Sequence, residues 1–188
     1  LHHVDGKVYV IFSNEEKEFG DGSICFIEVE DERMSSRAFD DSFGPLDLGA
    51  IHQFLKTLES KVIDPAFTKV VLRCRHNCFQ ATNCVFLLGC FLILRLQMDP
   101  SGVFRLLDPL SDLVVPFRDI SPGGQTFQLY LHDCWTALHK AFLFGWISPD
   151  LQGWSASELA RGSDHTQTRV HEIIPGKFIV ACEPTPQS

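Results

Sequence analysis

The chain has 188 residues, of which 45% are hydrophobic and 21% charged, with a formal net charge of −8. That length fits one domain or one domain and part of a second, and 16 Phe with 3 Trp supply a real core, so general disorder is excluded. The acidic balance argues against a general binder of nucleic acid or of an anionic membrane surface.

The first residue is not Met, so the chain reads as a piece of a longer protein without a signal peptide. Leu1, His2 and His3 read as a remnant of added sequence, and no function is assigned to the two histidines. Lys7 to Ser13 alternates apolar and polar residues, which predicts a strand. A charged turn from Asn14 to Gly22 follows, and Ser23 to Val29 is expected to pair back as the second strand of a hairpin. Glu28 to Arg33 is charge-rich, and Met34 to Asp41 reads as an irregular loop. Phe43-Gly44-Pro45-Leu46 should start a helix with Pro45 in its first turn. Leu48, Ile51, Phe54, Leu55 and Leu58 give that helix one apolar face, and it should end near Lys61. His52 lies on it as a surface or core-edge residue.

After Asp64-Pro65 the stretch from Lys69 to Gly89 reads as a buried strand, a tight polar loop and an apolar helix. Strand, loop and helix N-terminus is a geometry that suits an anion, because free N–H groups and the helix dipole converge there. Cysteine-dependent phosphatases use it with a thiolate at the loop start and an arginine about six residues on that clamps the phosphoryl oxygens. The candidate loop here is Arg73, Cys74, Arg75, His76, Asn77, Cys78 and Phe79. Six residues after Cys74 stands Gln80, and six after Cys78 stands Cys84. Aligned by its strand end, the loop has Arg73 where the nucleophile belongs and Phe79 where the arginine belongs. It also lacks glycine, which close backbone approach to phosphate favours. The loop is therefore read as a degenerate phosphate loop without catalytic residues, and weak or no phosphopeptide binding is expected at it.

Seven cysteines are an odd number at irregular spacing, which predicts a reduced, intracellular protein without a structural disulfide. Cys84, Cys90 and Cys134 are expected as small core residues. Cys74, His76 and Cys78 lack a second ligand pair, so no metal site is expected, and no cofactor is implied. The apolar run from Val85 to Leu94 is interrupted by Gly89 and ends at Arg95, too short to span a bilayer.

Asp99-Pro100 should cap a helix that packs through Val103, Phe104 and Leu107. Asp108 to Ser121 reads as a loop holding Pro116-Phe117-Arg118-Asp119, and Pro122-Gly123-Gly124 as a break. A long amphipathic helix is expected from about Phe127 to Trp146, using Leu131, Cys134, Leu138, Ala141, Phe142 and Gly145. Pro149 to Gly153 breaks the pattern, Ser155 to Arg161 reads as a short helix with Ser155 and Glu158 as a capping box, and Gly162 to Gln167 as linker. Ile173 to Cys182 returns to strand character, ahead of a tail from Glu183 to Ser188. Strands alternating with helices make the class α/β.

These segments together resemble the non-catalytic N-terminal domain of the cell-division-cycle-fourteen type of dual-specificity phosphatase. Asp41-Ser42-Phe43-Gly44-Pro45-Leu46-Asp47-Leu48 is similar to that family's Asp-Phe-Gly-Pro-Leu-Asn-Leu helix start. Lys69 to Gly89 resembles its strand, loop and helix, including Asn83, Phe86, Leu87 and Gly89. Pro116-Phe117-Arg118-Asp119 is similar to its Pro-Phe-Arg-Asp, Leu131-His132-Asp133-Cys134 with Lys140-Ala141 and Gly145 to its Leu-Asp-Cys helix, and Ile173-Ile174-Pro175-Gly176-Lys177-Phe178 to the opening of its second domain.

The resemblance implies a protein-tyrosine-phosphatase-like fold with a central mixed sheet flanked by helices. It implies a first domain that lacks the catalytic cysteine and helps form the substrate groove, beside a second domain that carries the His-Cys loop. The expected division is 1–150 as the degenerate phosphatase-like domain, 151–175 as linker, and 176–188 as the start of a second domain or a C-terminal strand and tail. The implied partner is a C-terminal catalytic phosphatase domain or a phosphoprotein; no nucleic acid or membrane is expected, and no oligomeric state is assigned. The implied setting is intracellular, at nucleus, centrosome or cytoskeleton, in cell-cycle dephosphorylation.

The family reads a basic substrate residue near phosphoserine-proline with linker carboxylates. Their counterparts here fall on Ala160, Ser163 and Arg169, with Glu158 the nearest acid. An arginine there would repel a basic side chain, so that preference is not carried over. The leading expectation is a pseudophosphatase domain that scaffolds and positions phosphorylated substrates; the alternative is a stand-alone interaction module without an attached enzyme. A His-Cys-(any five)-Arg loop downstream separates the two, and an active thiol enzyme using Cys74 or Cys78 is the least favoured reading.

Overall fold

Val70, Val71 and Leu72 are buried, so the strand that carries them, β4 (Lys69–Cys74), is covered on both faces. Such a strand is most stable with a neighbour on each edge. β2 (Val8–Phe12) and β3 (Ile24–Glu28) take those edges, and both run parallel to it. Val10 lies beside Leu72 on one side and Phe26 beside Val71 on the other. β1 (His2–Asp5) adds antiparallel to β2, giving a mixed sheet of order β1-β2-β4-β3. The computed structural model describes residues 1–14, 22–29, 44–118, 126–148, 170–174 and 176–181.

Two expectations are corrected here. The segment Ser23 to Val29 is not the second strand of a hairpin with β2: β4 lies between them, because the doubly buried strand takes both available edges. His2 and His3, read as a remnant of added sequence, are part of the sheet: in β1 they pair with Val10 and Tyr9. Val4 is 3% exposed in the core, and Gly6, at φ +48, makes the tight turn into β2.

The helices begin where polar side chains satisfy their first N–H groups. α1 (Leu48–Val62) starts later than expected: Asp47, not Pro45, sets its end, accepting from the Ala50 N–H at 2.8 Å. Its buried face is Ile51, Leu55 and Leu58. α2 (Cys78–Leu94) is buried without interruption from Ala81 to Leu94 and packs against β4, α1 and two further helices. α3 (Pro100–Leu107) is capped by Asp99, as its sequence predicts. Its packing face is Val103 and Leu107; Phe104 is turned outward, one step around the helix from Val103, and meets the His132 ring edge-on at 5.7 Å.

The region expected as loop after Asp108 holds a 3-10 helix, Asp108–Leu113, and β5 (Phe117–Arg118). β5 pairs antiparallel with β6 (Gln128–Leu129), so the expected long helix begins only at α4 (Leu131–Leu143). The Tyr130 N–H donates to Asp133 Oδ2 at 3.0 Å at that start. β7 (Val170–Ile174) and β8 (Phe178–Ala181) form a separate antiparallel hairpin turning at Gly176, with φ +65, in place of one strand from Ile173. β7 begins inside the stretch expected as linker. The segments from Glu30 to Phe43, Pro122 to Gly124, Pro149 to Gln167 and Cys182 to Ser188 lie outside the described residues. No helix of the described residues is long and apolar enough to cross a membrane.

Candidate functional site

The parallel strands β2, β3 and β4 all end on one side of the sheet, which is where ligands bind in open α/β sheets. Ser13 N–H donates to Cys74 O at 3.0 Å and Val29 N–H to Arg73 O at 2.8 Å, so the strand ends are tied together. β4 stops at Cys74, and three residues, Arg75, His76 and Asn77, carry the chain to Cys78, the first residue of α2. Asn77 is extended, and its side chain folds back over the helix end. The anticipated strand-loop-helix geometry is present.

Four N–H groups of the loop and helix start, of the kind that would hold an anion, are already engaged. Asn77 Oδ1 accepts from the Phe79 N–H at 2.9 Å and the Gln80 N–H at 3.3 Å. The His76 N–H donates to Asn14 Oδ1 at 2.9 Å, and the Asn77 N–H to Arg75 O at 2.8 Å. Neutral carboxamide and carbonyl oxygens thus occupy donors that a phosphoryl group would need. Asn14 was not anticipated at this site. It lies 62 residues earlier, at the end of β2, and only the parallel pairing of β2 with β4 brings it there.

The candidate side chains do not converge on one centre. The Cys74 thiol is 1% exposed and donates to Arg75 O at 3.5 Å. Cys78 is exposed on the first turn of α2. Arg73 turns to β3: its guanidinium lies 4.5 Å from the Phe26 ring centroid and 3.1 Å from Glu28 Oε1. Arg75 and His76 are exposed, and so is Phe79, at the position where a clamp arginine would stand. The expected cluster of Arg73, Arg75 and His76 is therefore divided, with Arg73 drawn away by an aromatic face and a carboxylate on the neighbouring strand.

The six described cysteines are free thiols. Cys84 is fully buried, and its hydrogen bond with Cys74, together with burial, holds its pKa well above the ordinary value. Burial raises Cys90 in the same way, with the neighbouring Cys134 adding to it. Cys134 is pushed up to about 11 by burial and by Asp133. These three thiols stay protonated near neutral pH and are poor nucleophiles. Cys84 and Cys90 are core residues as expected, while Cys134 is only half-buried. Among the described residues no group of three His, Cys, Asp or Glu is placed to hold a metal ion.

Behind the loop a packing contact fixes α2. Trp135 of α4 is 2% exposed, lies directly against Gly89, and donates its indole N–H to Phe86 O at 3.1 Å. A Cβ at Gly89 would fall 2.1 Å from Trp135 Cε2. One turn from the loop, the buried Thr82 hydroxyl donates to Cys78 O at 2.8 Å and accepts from the Val115 N–H at 2.9 Å, tying α2 to the segment that leads into β5.

The chain matches the family described as dual specificity protein phosphatase, N-terminal half, over residues 2–141. It is 28% identical over 159 residues to the dual specificity protein phosphatase CDC14C of Homo sapiens, covering 82% of this chain and 34% of that protein. It is 26% identical over 162 residues to CDC14A of Homo sapiens, covering 84% and 27%. The tyrosine-protein phosphatase cdc-14 of Caenorhabditis elegans is 27% identical over 177 residues, covering 87% and 24%. The chain thus spans a quarter to a third of the length of these relatives.

Proposed function

The chain belongs to the family of dual-specificity protein phosphatase N-terminal halves, and from that membership we propose that it is a non-catalytic, phosphatase-like domain that scaffolds and positions phosphorylated protein substrates for a catalytic half. The observation that carries this reading is the engaged loop: the N–H groups of His76, Asn77, Phe79 and Gln80 donate to protein oxygens, and Arg73 pairs with Glu28 away from the buried Cys74 thiol. Phosphoryl transfer through a thiol needs the nucleophile, the clamp and the cradle in one place. What remains is a rigid strand-loop-helix edge able to shape a groove. The partner is a C-terminal catalytic half on the same polypeptide, in a reducing intracellular setting.

The test is turnover of a generic aryl phosphate by the chain, which should equal buffer alone. Activity that vanishes in Cys74→Ser or Cys78→Ser overturns the non-catalytic reading. The positioning role is measured in the protein carrying both halves. Removing the N-terminal half should lower kcat/KM for a phosphoprotein and leave kcat/KM for the small aryl phosphate unchanged; equal effects on both overturn it.

A further inference from the structure

We draw no further inference here: the strongest candidate, the exposed aromatic patch that Phe104 of α3 and His132 of α4 form where the two helices meet, carries none because nothing in the structure shows what covers it.

Discussion

The two ends of α2 solve different problems. At its first turn the helix meets polar groups: Asn77 satisfies the Phe79 and Gln80 N–H groups, and Asn14 reaches across from β2 to the loop. Around Gly89 it meets a surface, the Trp135 indole, and only the absence of a side chain lets the two helices approach. The first end has a strand-loop-helix geometry in which the chain's own side chains and backbone accept from the loop N–H groups. The second end depends on close fit, with one buried hydrogen bond from the Trp135 indole N–H to Phe86 O. Polar capping thus fixes one end of the helix and close packing the other.

The sharpest way to break this contrast is at the packed end. Trp135→Ala should cost about 3–5 kcal/mol in urea unfolding, because it empties a buried aromatic site and removes the indole N–H bond to Phe86 O. Gly89→Ala adds one methyl group but forces it into the indole, so a loss of about 1–3 kcal/mol or more is expected despite the better helix propensity of Ala. Unchanged stability in either variant would mean that α4 does not pack on α2 in this way.

An alkaline titration separates the thiols of the two ends. The pKa of Cys134 is raised from 9.0 to about 11, and those of Cys84 and Cys90 are raised as well, so these thiols are protonated in the fold and ionise more easily when unfolded. The stability they contribute is complete below pH 9 and is lost as the pH rises through 11 and beyond. Cys134→Ser should reduce that alkaline loss. Under native conditions a thiol reagent should label the exposed Cys78 first and reach Cys84 and Cys90 only on unfolding. Labelling of all of them at one rate would contradict the burial.

Asn77→Ala should destabilise the chain by about 1 kcal/mol, the usual worth of an N-cap, without creating aryl phosphatase activity. A stabilisation by millimolar phosphate that appears in Asn77→Ala alone would show that the carboxamide excludes an anion from an otherwise competent cradle. The smallest effect is at Arg73. A double-mutant cycle with Glu28 should give a coupling below about 1 kcal/mol that weakens with salt, since the Glu28 side chain is 50% exposed. A larger, salt-insensitive coupling would mark the pair as buried.

What the sequence determined by itself is local and chemical. The apolar run of α2, the Asp99-Pro100 cap and the strand from Lys69 are legible because periodicity and capping act within a few residues. The lack of an arginine six residues after either loop cysteine is legible for the same reason. The ordered set of motifs was enough to identify the family, though Asp47 rather than Pro45 sets the first helix. The tertiary structure alone decided that β3 takes the far edge of β4, that Asn14 closes the loop, that Arg73 leaves it for Phe26 and Glu28, and that Trp135 lies on Gly89. Each of these joins segments distant in the chain. A sequence pattern states which face of a segment is apolar or which donor is open, but not which distant edge, ring or carboxamide arrives to meet it.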